Sequence, residues 1–242
     1  MQELKISGGH KSVLQDFTDN LRGIFKDELV SVILYGSAAR GEFTGRESNL
    51  NVLIVLKDAG LANLKKCTGL VNRFKFRALD PFFLSRKYIS DSLDVFPIEF
   101  LDMKENYAVL YGEDILKDIQ VDTKNLRFQC EQELKAKLVS LRQAYLRQSR
   151  NGAALKYLMF RYATSLLHIL KNMLRVKGKT APFLRQDILD QAAQELKIKT
   201  SALSRILSAK NKEIALGRGD LGPLFVEFTE ELEKISDIVD QL

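Results

Sequence analysis

Two runs of apolar, β-branched-rich residues set the pattern of the chain: LVSVILY at 29–35 and VLIVL at 52–56. Continuous runs of that length predict strands buried on both faces. Ahead of them, Leu14, Phe17, Leu21, Ile24 and Phe25 recur at helical spacing and predict an amphipathic helix over 10–28. Behind them, Leu61, Leu64, Leu70, Val71 and Phe74 predict a helix over 60–76, and PFFLS at 81–85 a short strand. VFPIEFLD at 95–102 reads as a further strand, with Pro97 at its start or at a sheet edge. Residues 103–120 read as a helix followed by the turn YGED. Strands and helices mixed in this way predict an α/β (α+β) fold with a small mixed sheet and flanking helices.

From residue 125 the period becomes helical throughout. Cys130, Leu134, Leu138, Leu141 and Tyr145 mark one apolar face. Residues 152–177 are apolar nearly all round, the pattern of a helix central to a bundle. Gly178 stops it, and Pro182 stands at the start of the next helix. Helices are expected at 183–197 and 201–210, the latter capped by Thr200 or Ser201, and at 224–241. Charge changes at the same place. Residues 1–120 carry a net charge of −1 and residues 121–242 a net charge of +7, within a total of +6. The expected organisation is an α/β domain over 1–120 and an all-α helical bundle over 121–242.

At 242 residues, 45% hydrophobic and 28% charged, the chain has ample material for packed cores. Its two cysteines, Cys67 and Cys130, form neither a disulfide framework nor a zinc pattern, which points to a reducing cytoplasm. MQELKISGGHK has no apolar stretch of the secretory kind. The apolar segment 153–176 is broken by Lys156, Arg161, His168, Lys171 and Arg175, so no membrane span is expected.

The candidate chemistry lies between the two apolar runs. Gly36 and Ser37 follow the first run, where a glycine lets backbone N–H groups approach a ligand and a hydroxyl adds a donor. Arg40 supplies a cation one turn on, and Gly41 follows it. The second run begins in SNLNVLIVL. This arrangement resembles the nucleotidyltransferase superfamily, the DNA-polymerase-β-like fold, over about the first 120 residues. The resemblance implies a nucleotide cleft at Gly36, Ser37 and Arg40. It also implies two Mg²⁺ ions held by an Asp-x-Asp pair and by a third carboxylate from a later strand. The pair's positions are Asn49 and Asn51 here, and Glu99 in PIEF is the matching third position.

Mg²⁺ prefers carboxylate oxygen and water. An amide carbonyl can ligate it but brings no charge, so a site of Glu99, Asn49 and Asn51 holds metal weakly or not at all. Metal catalysis contributes several kcal/mol, and losing most of it costs roughly three powers of ten in rate. The first expectation is therefore a nucleotide- or phosphate-binding or regulatory relative with little or no catalysis and no cofactor. The alternative is a working, Mg-dependent enzyme moving a nucleoside monophosphate from a triphosphate to a non-cationic acceptor.

The basic second half bears on partners. Residues 134–186 contain 12 basic residues and no acidic one, whereas residues 213–242 contain 2 and 8. An anionic acceptor suits such a face better than a cationic antibiotic. The charges lack the aromatic interleaving typical of single-strand platforms, which weakens a nucleic-acid reading. The acidic last helix of the same chain, or of another copy, could instead neutralise it. Arg161 and His168 have the loose spacing of HEPN-type ribonucleases, a helical family that accompanies this fold. That leaves a third reading, an interaction protein of HEPN–nucleotidyltransferase type with a homodimeric or helical partner. Two turns on one helix face explain the same spacing structurally.

Overall fold

The two apolar runs become neighbouring strands, β1 (Leu29–Tyr35) and β2 (Leu50–Leu56). Val32, Ile33 and Leu34 of β1, and Val52, Leu53, Ile54, Val55 and Leu56 of β2, are wholly buried, so apolar side chains are needed at consecutive positions. The computed structural model describes residues 6–41 and 49–242. The chain divides into two compact units, Met1–Val121 and Asp122–Leu242.

In the first unit, α1 (Gly8–Phe25) leads into β1, and a four-residue helix, α2 (Ser37–Arg40), leaves it. After β2 come α3 (Leu61–Phe74), β3 (Leu79–Ser85), α4 (Arg86–Asp91), α5 (Pro97–Glu105) and β4 (Tyr107–Gly112). The sheet order is β3-β2-β1-β4. β1 is antiparallel to β2 and β4, while β2 and β3, joined through α3, are parallel. A helical crossover is the connection that parallel neighbours require.

One sheet face packs Leu34, Val52 and Ile54 against Leu14, Phe17 and Leu21 of α1 and Leu70 and Phe74 of α3. The rings of Phe17 and Phe74 meet edge-on at 5.2 Å. The other face packs Ile33, Leu53 and Val55 against Ile89, Phe100, Met103 and Leu116.

Residues 95–102 depart from expectation. They are not a strand; Pro97 opens helix α5 at a position where its missing N–H has no partner to lose. Pro97, Ile98, Phe100 and Met103 are buried and Glu99 is exposed. Over three residues, inward Ile98 and Phe100 flanking an outward Glu99 fit a helix as well as a strand, and only Met103 favours the helix. The expected helix over 103–120 is also replaced. Its middle is the edge strand β4, ended by Gly112 at φ +78°, where a Cβ would lie 2.1 Å from the Val30 carbonyl oxygen.

The second unit is built from α6 (Thr123–Gln148), α7 (Gly152–Val176), α8 (Arg185–Leu196), α9 (Ser201–Lys210) and α10 (Leu221–Val239). Helix α7 touches each of the other four. It is not apolar all round: Tyr157, Arg161, Thr164 and His168 form an exposed stripe, which is where the Arg161–His168 spacing falls. Part of the basic charge is met by Glu233 of α10, 2.8 Å from Arg142, and by Asp240 just past that helix, 3.1 Å from Lys135. Elsewhere it lies over rings, as with Lys171 over Phe183 and Lys156 over Phe160. Aromatic side chains thus do accompany these cations in space. Among the described residues no helix is long and apolar enough to cross a membrane.

The N-terminus of α9 is capped by neither Thr200 nor Ser201. Glu231 of α10, 6% exposed, accepts from the Ala202 N–H (2.9 Å), the Leu203 N–H (3.1 Å) and the Ser201 hydroxyl (3.0 Å). A carboxylate here satisfies orphan amides and favours the positive helix end. Glu231→Ala should therefore lower the unfolding free energy by about 2–3 kcal/mol, measured by urea melts, with Thr200→Ala near neutral. Equal effects would refute the carboxylate cap.

Burial pushes the Cys130 thiol up to about 12, with Glu133 adding to the rise and Arg175 opposing it; burial also raises Cys67. Both thiols should resist Ellman's reagent in the folded protein and react once denaturant is added. The folded value of Cys130 lies above the ordinary 9.0. Its contribution to stability is therefore full below that pH and lost as pH rises toward about 12.

Candidate functional site

Strand register brings three polar side chains into one row, which Tyr107 of β4 continues beyond Tyr35. Tyr35 on β1 pairs with Asn51 on β2, and Asn51 pairs with Asp80 on β3. Residues directly opposite one another share a face, so all three project from the side that carries Ile33, Leu53 and Val55. The row sits where β1 ends and where β2, β3 and β4 begin. Burial first, and the Asp80 charge second, raise the Tyr35 phenol above its ordinary 10.0.

The chain turns sharply beside this row. Gly36 has φ +79° and ψ −151°, a backbone region that only glycine enters readily. A Cβ there would stand 3.3 Å from Asn51 Nδ2, so the Asn51 carboxamide lies directly over the bare Gly36 backbone. The Gly36 N–H donates to the Asn106 carbonyl at 2.9 Å, and the Gly36 carbonyl accepts from the Arg40 N–H at 3.2 Å. Ser37 begins α2, fully buried Ala38 seats it, and Gly41 ends it in the left-handed region. Arg40 closes the helix with its Nε buried.

Asn49 is exposed one residue before β2. The Leu50 N–H that follows donates to the Ala78 carbonyl at 2.6 Å. Ala78 itself takes φ +55°, uncommon for a residue with a side chain, immediately before Asp80's strand. This non-glycine outlier therefore lies beside the polar row, where such strain tends to gather.

Of the six expected site residues, Gly36 and Asn51 are brought into contact, and Ser37, Arg40 and Asn49 lie on the segments entering and leaving them. Glu99 is different. It sits in the first turn of α5 and not on the sheet, so the strand position next to Asn51 is not its own. Asp80 holds that position. The sequence did contain a signal for it. A strand, a helix and a second apolar run at 81–85 form a β-α-β unit, and the residue opening its last strand falls beside the start of the first.

The donor set does not fit a pair of divalent ions. Among the described residues, the row and its approach hold one carboxylate, Asp80, and two amides, Asn49 and Asn51. Among the described residues no three His, Cys, Asp or Glu side chains gather to hold a metal. Two shallow cavities of about 350 and 490 Å³ share Arg86 and Glu113, at the opposite end of the sheet.

Over 100 residues the chain is 33% identical to the "Putative protein adenylyltransferase MJ0141" of Methanocaldococcus jannaschii, which spans 40% of this chain and 93% of that protein. This chain belongs to the nucleotidyltransferase superfamily. No protein-family model matches it. The fold of this nucleotidyltransferase-superfamily chain is also similar to that of spectinomycin adenyltransferase AAD(9) from Enterococcus faecialis, whose crystal structure contains ATP and spectinomycin. The TM-score is 0.55 at 10% identity, over 92% of this chain and 99% of that one, a likeness of fold alone.

The Tyr35–Asp80 pairing can be read by titration. In a ¹³C-tyrosine NMR titration, Tyr35 should ionise above 10.0, and in Asp80→Asn it should move down while remaining above that value, because burial is the larger cause. An unchanged Tyr35 in Asp80→Asn would break the proposed row.

Proposed function

We propose that this chain binds a nucleotide or related phosphate ligand at Gly36, Ser37 and Arg40 and performs little or no nucleotidyl transfer. The observation that carries the reading is the row Tyr35–Asn51–Asp80 beside Gly36. The turn that admits phosphate oxygens to the backbone is kept, while the strand carboxylates are reduced to one. Family membership supports the nucleotide. The composition of the row supports the loss of transfer, because charge on the attacking and leaving oxygens of a phosphoryl group is stabilised by metal ions that need several carboxylates to hold them.

Asn differs from Asp by one nitrogen for one oxygen, so the exchange removes charge and leaves shape. Fold and cleft therefore survive it. The role that remains is one of occupancy, in which a bound nucleotide reports or stabilises a state of the protein. Adenylyl transfer to a protein, the activity stated in the archaeal relative's name, is the reaction a carboxylate-restored site would be tested for.

The test is label transfer from [α-³²P]ATP in the presence of Mg²⁺ and cell extract. The chain as written should transfer no label above background. Asn49→Asp combined with Asn51→Asp should raise transfer by roughly three powers of ten, if the lost metal contribution is restored. Robust transfer by the unaltered chain, abolished by Asp80→Ala, would overturn the reading.

A further inference from the structure

We propose that the cleft takes its nucleoside triphosphate as the metal-free polyphosphate anion, with the Asn49 and Asn51 carboxamides donating N–H groups to phosphate oxygens. The inference rests on the nucleotide-binding reading above and adds the form in which the ligand is recognised.

A site lined by three carboxylates repels a triphosphate and accepts it only with divalent ions between them. Exchanging two carboxylates for amides reverses the sign of that interaction. A carboxylate offers phosphate only acceptors, whereas each carboxamide offers two N–H donors. The same two positions that would exclude a bare polyphosphate now attract it.

Placement supports this. Asn51 Nδ2 is 3.3 Å from where a Gly36 Cβ would be, so the amide and the bare backbone of the turn border the same space. Asn49 stands two residues before Asn51, exposed at the approach to it. Among the described residues, no hydrogen bond engages the side chains of Ser37, Asn49 or Asn51. One carboxylate remains in the row, Asp80, and in this arrangement it works against the ligand. Mg²⁺ would also work against it, by occupying the phosphate oxygens that the amides would otherwise hold.

Isothermal titration of the full chain tests this with ATP and inorganic triphosphate, each in EDTA and in excess Mg²⁺, and with AMP in EDTA. Binding of ATP and triphosphate should be tighter in EDTA than in Mg²⁺, and AMP should be weaker than either. A carboxylate placed at 51 should repel the phosphates: Asn51→Asp should weaken ATP in EDTA by about tenfold or more. Asp80→Asn should tighten it. Heat only when Mg²⁺ is present would overturn the metal-free proposal and leave nucleotide binding standing. Heat in neither buffer, with circular dichroism showing a folded chain, would overturn both. Tighter ATP binding by Asn51→Asp in EDTA would also refute the donor role of the amide.

Discussion

The pairing of β2 with a strand on either side governs everything else at the site. Tyr35, Asn51 and Asp80 lie far apart in sequence and become neighbours only because β1–β2 and β2–β3 each adopt one register. That register is fixed by the core. Both faces of β2 are buried, with Val52 and Ile54 on one layer and Leu53 and Val55 on the other. A one-residue slip would exchange every side chain between layers whose partners differ in size. The polar row is thus held by apolar packing several residues away, and Gly36 can turn the chain beside it because no side chain fills the space against Asn51.

A rigid frame of this kind makes the chemistry of the site depend on composition more than on shape. The frame sets Asn51 and Asp80 side by side at the starts of β2 and β3, next to Gly36, and in the proposed function their charge decides what enters. With carboxylates, divalent ions come first and phosphate follows. Under the proposed function, one carboxylate and two amides hold divalent ions weakly while hydrogen bonding to anions remains. The change needs no rearrangement of backbone, so the proposed loss of the ions is compatible with a fold shared with a protein 33% identical over 100 residues. The second unit adds a helical body whose stability draws on buried polar devices of its own, notably the Glu231 carboxylate at the start of α9.

Much of this was legible in the sequence, and the failures have physical reasons. β1, β2, α1, α3 and the helices of the second unit announced themselves by long runs or sustained period. The turn at Gly36 was visible because glycine after a buried strand is a local signal. Residues 95–102 misled because three residues of alternation fit two periods, and Pro97 is as acceptable at a helix start as at a strand edge. β4 was missed because an edge strand that is only partly buried shows little alternation. Asp80 escaped because its importance is a fact of register, and register between β2 and β3 is set by contacts that span α3. Glu231 escaped for the same reason, since its carboxylate serves amides about thirty residues away.

The central claim is that the strand-start row holds too little negative charge to seat divalent ions. It is tested most directly by titrating the full chain with Mn²⁺ and following free ion by electron paramagnetic resonance, without nucleotide. The account predicts that the free-Mn²⁺ signal rises in step with added metal through the millimolar range, and that Asn49→Asp with Asn51→Asp creates a bound fraction. Stoichiometric binding of one or two ions by the unaltered chain, lost in Asp80→Asn, would contradict it.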